Sequence, residues 1–218
     1  TSDSAIEAFS GELLLDNTAS SVGSSMIVVD PSFCASPGTC NLRVGGNGSG
    51  EGGIVKTFLD SFSPSASDGI DLGANNLTVN NNGVFRISGN SNFSGQVLID
   101  SGDLQLANTG ALSNSSDISL QNNGRISFLV DFPKSNPSGG SPDFVTLGSG
   151  DQTLFVESGI TVSIDDVTFT GSGNLVKDGE GVLEYFDSSN GGIGTLDYTG
   201  ETKVLAGSLQ VSAGSIAS

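Results

Sequence analysis

The sequence predicts an all-β fold, a three-faced parallel β-solenoid with about 20 residues per coil. Three observations lead to that expectation. The first is composition: Gly supplies 32 of 218 residues and apolar residues only 35%, low for a compact two-layer fold. The apolar residues are nevertheless of the strand type, Val, Ile, Leu and 12 Phe in short runs. The second is alternation, because those runs are separated throughout by Gly-, Asn- and Asp-rich turns. The third is period. Gly83, Gly102 and Gly124 are 19 and 22 residues apart, and Gly159, Gly181 and Gly207 are 22 and 26 apart. A unit of that size with three short strands can cover its apolar side chains only with the units before and after it.

Residues 11–15 and 26–29 are expected as strands, since Leu13-Leu14-Leu15 and Met26-Ile27-Val28-Val29 are apolar runs between polar turns. A short strand, Leu42-Arg43-Val44, precedes the glycine tract 45–53. For 54–62, IVKTFLDSF, a strand is preferred over a short helix. From Ile70 the repeat is legible, with strands expected at 77–79, 84–87, 97–99, 104–106, 118–120 and 126–130. Their turns hold Asn, Asp, Ser and Gly, which tolerate positive φ or bond their own backbone. PKSNPSGGSP at 133–142 has three prolines and cannot continue a sheet interior, so it reads as a protruding loop. Strands resume at 153–157, 160–164 and 167–169 and lead into 171–211.

The stretch 171–211 has a looser copy within 76–128. Asn76-Leu77 to Gly83-Val84-Phe85 aligns with Asn174-Leu175 to Gly181-Val182-Leu183, and Gly95 to Gly102-Asp103-Leu104 aligns with Gly200 to Gly207-Ser208-Leu209. A seven-residue insertion near 188–196 accounts for the change of offset from 98 to 105. The whole chain, 1–218, therefore reads as one solenoid with loops protruding near 33–40, 133–142 and 188–194. A β-sandwich or jelly roll is the structural alternative, but the even spacing favours the solenoid.

The formal net charge is −17, which argues against nucleic acid and anionic lipid as partners. No run of 18 apolar residues suggests a membrane span, and Thr1 reads as a mature start. Cys34 and Cys40 flank the turn residues Pro37-Gly38, so a small-loop disulfide is expected, in keeping with an oxidising, extracellular setting.

The segment GNLVKDGEGVLEYF, followed by YTGETKVLAGSLQV, resembles the passenger-associated transport repeat of bacterial autotransporters. The positions that match it are Gly173, Leu175, Lys177, Gly179, Gly181, Leu183, Tyr198, Gly200, Thr202, Val204, Gly207, Leu209 and Val211. The resemblance implies a right-handed parallel β-helix passenger, exported across the outer membrane of a Gram-negative bacterium to the cell surface or beyond. It implies a translocating β-barrel in the full-length chain, and repeat residues that serve export rather than catalysis. It implies as partners a receptor on host or bacterial surfaces, protein or glycan, and self-association through solenoid edges or faces. The cysteine pair departs from the family habit.

Catalytic chemistry finds little support in the residues. With no His, a Ser-His-Asp or Cys-His arrangement is excluded. The glycines at 48–53 fit a dinucleotide fingerprint but lack its strand-turn-helix context, and no cofactor or metal site is expected. Candidate carboxylates are Asp165 with Asp166, Asp60 with Asp68 and Asp71, and Glu184 with Asp187; most of the acids read as a solvated surface. Lys177 reads as decorating a turn or pairing an acid, Arg43, Arg86 and Arg125 as flanking the outer face, and the Phe side chains as core. The function expected is a non-catalytic passenger segment, a rod-like scaffold for adhesion or the cell-binding part of a toxin. The alternative is a β-helix enzyme that degrades polysaccharide, or a tailspike-like glycan binder. The loops at 33–40, 133–142 and 188–194 are the expected binding elements.

Overall fold

A computed structural model describes residues 76–80, 82–112, 117–132, 143–186 and 195–212, with the backbone alone at Asn92, Phe93 and Asp143 and in six earlier strands. Those six are β1 (Ser4–Glu7), β2 (Glu12–Leu15), β3 (Ile27–Val28), β4 (Leu42–Gly45), β5 (Ile54–Thr57) and β6 (Ile70–Gly73). β7 (Leu77–Asn80), β8 (Val84–Ile87), β9 (Asn92–Phe93), β10 (Val97–Asp100), β11 (Asp103–Leu106), β12 (Asp117–Gln121) and β13 (Arg125–Phe128) follow. After them come β14 (Asp143–Leu147), β15 (Asp151–Val156), β16 (Thr161–Asp165), β17 (Val167–Gly171), β18 (Asn174–Asp178) and β19 (Val182–Phe186). The last are β20 (Leu196–Tyr198), β21 (Thr202–Val204) and β22 (Ser208–Val211).

These strands stack in parallel as a β-solenoid. The first face is an eight-stranded sheet, β1-β4-β7-β10-β12-β14-β17-β20, and the second is β2-β5-β8-β11-β13-β15-β18-β21. The third face is built of β3-β6-β9 and, further along, β16-β19-β22. Between those two groups Phe132 bridges to Val162. Sequence reading places most of these strands but names none over β1, β6, β9 or β14; in β14 the alternation Asp143-Phe144-Val145-Thr146-Leu147 follows directly on the proline-rich segment.

Coil length is less uniform than about 20 residues. Leu77, Val97, Ile118, Val145, Phe169 and Leu196 lie in one register row, so successive levels take 20, 21, 27, 24 and 27 residues. The later levels are longer because they accommodate the segments 133–142 and 188–194 and because β16 and β19 are full strands of the third face.

The core follows from strand alternation. β7 buries Leu77 and Val79, β10 Val97 and Ile99, β11 Leu104 and Leu106, and each such residue lies above its counterpart on the next level. Removing these stacked side chains from water is the main stabilising term of the fold. Phe128 packs edge-on against Phe132 at 5.2 Å, and Phe169 against Tyr185 at 6.0 Å, geometries that aromatic quadrupoles favour. The buried Tyr185 hydroxyl donates to the Val167 carbonyl at 2.7 Å, whereas Asn80 Oδ1 is buried without a hydrogen-bond partner among the described residues.

The corner between the first and second faces depends on glycine. A Cβ on Gly173 would lie 1.7 Å from the Gly148 carbonyl oxygen, and one on Gly200 would lie 2.1 Å from that of Gly173. Backbone passes directly over backbone there, and no larger residue fits. Buried Gln152 ties the same corner together, accepting from the Gly124 amide at 3.0 Å and donating to the carbonyls of Gly148 and Ser149.

The two aligned sequence copies occupy different faces. In the earlier copy Leu77 lies on the first face and Val84 on the second, whereas in the later copy Leu175 lies on the second and Val182 on the third. The similarity therefore records a strand-turn-strand grammar, one face out of phase.

Candidate functional site

Because inward residues alternate with outward ones, the first sheet presents rows of side chains to solvent. One outward row is Leu98, Ser119, Thr146 and Thr170, each in register with the next. A second row, along the edge where the strands begin, pairs Asp117 with Phe144. Ser119 is small and stands between larger neighbours, which leaves a depression. The resulting groove has a volume of about 500 Å³ and crosses β10, β12, β14 and β17. Gln96, Asp117 and Phe144 bound it on one side and Gln121 on the other. Gln121 Nε2 donates to Ser119 Oγ at 3.3 Å.

Phe144 is 38% exposed, one of three large apolar side chains uncovered among the described residues. The expectation that the Phe side chains are core thus fails at Phe144, and also at half-buried Phe155, whose ring lies 4.1 Å beneath the Arg125 guanidinium. Both face outward because Val145 and Leu147, and Leu154 and Val156, already take the inward positions. Arg125 keeps to the outer face, where its Nε donates to Ser127 Oγ at 2.9 Å. Half-buried Arg86 lies in register with outward Gln105, while the Arg43 side chain lies outside the described residues.

Lys177 is not a turn decoration. It occupies an inward position beneath Leu154 and is fully buried. Its Nζ donates to the carbonyls of Asp178 at 2.9 Å, Gly179 at 2.7 Å and Ala206 at 3.1 Å. Ala206 belongs to the next level, so the ammonium joins two successive corners. Burial pushes the Lys177 ammonium below its ordinary pKa, against the opposing influence of Asp178 and Glu180. The signal was present in the sequence: with Leu175 inward, Lys177 two residues later shares its face.

The other repeat-motif residues have structural places. Gly173, Gly179 and Gly181 are buried at corners, and Leu175, Leu183 and Tyr198 are core. The hydroxyls of Tyr198 and Thr202 hydrogen-bond each other. Gly200 and Gly207 turn the chain, Leu209 and Val211 pack against the core, and Val204 is 49% exposed.

Among the described residues, the candidate carboxylates do not come together in the groove. Asp165 and Asp166 lie at the corner between β16 and β17, with Asp166 at φ 58°, and Glu184 accepts a bond from Ser163 at 2.7 Å on the third face. Asp71 is in β6, and Asp60, Asp68 and Asp187 lie outside the described residues. Among the described residues, no three potential metal ligands converge. On the second face Asp151 bonds Lys203 Nζ at 2.8 Å and Asn174 Nδ2 at 2.6 Å across two levels.

Cys34 and Cys40 and the segments 33–40, 133–142 and 188–194 also lie outside the described residues. Each segment is followed in the chain by a strand of the first sheet, β4, β14 and β20 respectively. Parallel strands begin on one edge, and that is the edge of Gln96, Asp117 and Phe144.

Fold and groove together define a β-solenoid with a mixed polar and apolar trough on its first face. Comparison with known protein families, with curated proteins and with solved structures returned no match.

Proposed function

We propose that the chain is a non-catalytic passenger segment of an autotransporter, a rod-like scaffold held at the bacterial surface whose first face is its adhesive side. The observation that carries this reading is the groove. It has the size of a ligand site, and the segments 33–40, 133–142 and 188–194 each precede a strand of the same sheet in the chain. Asp117 is the one carboxylate among the described residues that line it, whereas glycoside hydrolysis ordinarily uses two. The transport-repeat resemblance at 171–211 supports export, and a net charge of −17 suits a soluble exposed rod.

The test is adhesion of the purified, fluorescently labelled chain to bacterial and epithelial cells. Thr146→Arg, which fills the groove from an exposed position, and Gly-Ser replacement of 133–142 are expected to reduce bound protein severalfold. Binding that neither change affects would remove the first face from the function.

A further inference from the structure

We propose that the groove of the first face takes an uncharged oligosaccharide laid along the solenoid axis, across the strands. This names the ligand class of the adhesive site and rests on that reading. The first support is the arrangement of hydroxyls. Ser119, Thr146 and Thr170 stand in register on consecutive levels, and neighbouring strands are about 4.8 Å apart. From β12 to β17 that makes a row of about 10 Å with a hydroxyl donor and acceptor on each level, continued on β10 by Leu98. An extended polymer with hydroxyls at short intervals matches such a row, and a peptide strand does not. The strands of this sheet already pair with one another, so a chain crossing them finds side chains rather than free backbone groups.

The second support is the apolar part of the same trough. Leu98 and exposed Phe144 offer carbon surface beside the hydroxyl row, as needed to cover the C–H face of a sugar ring while its hydroxyls are bonded. The third is charge. The described groove lining contains Asp117 and no Lys or Arg, on a chain of net charge −17. A sulfated or uronic-acid polymer would meet like charge there, so the ligand is uncharged.

Saturation-transfer NMR on the full chain, with cellohexaose, chitohexaose and maltohexaose as probes and heparin as the charged comparator, tests this. At least one uncharged hexasaccharide is expected to bind. Phe144→Ala and Thr146→Arg are expected to weaken it at least tenfold with thermal melting unchanged, and Gln105→Ala on the second face is expected to leave it intact. Failure of all three hexasaccharides, retained binding in both groove variants, or binding of heparin alone would overturn the proposal. Cell adhesion measured on the same preparations separates the two readings. Adhesion without oligosaccharide binding overturns the ligand class and leaves the adhesive scaffold standing. Oligosaccharide binding without adhesion overturns the scaffold reading and leaves the site.

Discussion

A lysine at a core position looks at first like an error in the hydrophobic pattern, yet Lys177 has three acceptors and no room to leave. Truncation to Ala would orphan those carbonyls and open a cavity, and is expected to lower the unfolding free energy by about 3 kcal/mol. Lys177→Met keeps most of the stem and isolates the polar contribution; chemical denaturation of both variants checks the difference. The pH dependence has a definite sign. A base whose folded pKa lies below its unfolded pKa binds fewer protons in the folded state between the two values, so stability rises with pH there. Wild type should therefore gain on Lys177→Met as pH climbs from that depressed value towards the ordinary lysine range. The exposed Asp151–Lys203 pair behaves otherwise. Hydrogen bonds from Lys203 and Asn174 hold Asp151 below its usual value, and the bond to Asp151 holds Lys203 above its own. The Asp151 contribution is present above its unfolded pKa and is lost as pH falls through the depressed one. The Lys203 contribution is present below its unfolded pKa and is lost as pH rises through the raised one. Asp151→Asn should therefore show a small Tm deficit near neutrality that fades in strong acid and in high salt.

Corners and strands differ in how they tolerate change. Gly173→Ala would drive a methyl group into the Gly148 carbonyl, and a displaced corner of this kind is expected to cost about 3 kcal/mol, read by thermal melting. Elements were most legible in the sequence where apolar and polar residues alternate clearly between glycine- and asparagine-rich turns, and least so at the short β1, β6 and β9. Leu77-Thr78-Val79 and Leu104-Gln105-Leu106 show their inward residues directly, and β7 and β11 contain them. β14 was hidden because PKSNPSGGSP reads as a break and the five residues after it were absorbed into the break. The candidate site went with it, since Phe144 and Thr146 have no direction until a strand gives them one. The groove also depends on register, which decides that Ser119 stands between Leu98 and Thr146. Register across levels of unequal length is not a property of any single segment.

Over the whole molecule, each level touches chiefly the levels before and after it, so stability is a sum of neighbour terms. Leu120→Ala, in the middle of the described core, should destabilise by about 3 kcal/mol. It should also lower hydrogen-exchange protection first in β10, β12 and β14, with β20 little changed, as exchange mass spectrometry would show. A net charge of −17 works against compaction everywhere at once. Salt added from about 10 mM to about 500 mM should raise Tm by screening it, despite the loss at the Asp151–Lys203 pair.

The one-face displacement between the two similar sequence blocks bears on how such chains can be compared. An alignment lays Thr78, on the outer surface of the first sheet, over Val176 on the second. A contact learned on one block and carried by alignment to the other would point about a third of a turn away around the rod. For the same reason, a lineage growing by copying such blocks can rotate its surface chemistry about the axis while its sequence looks unchanged. Equivalence in this molecule has to be counted by level and by face, not by motif.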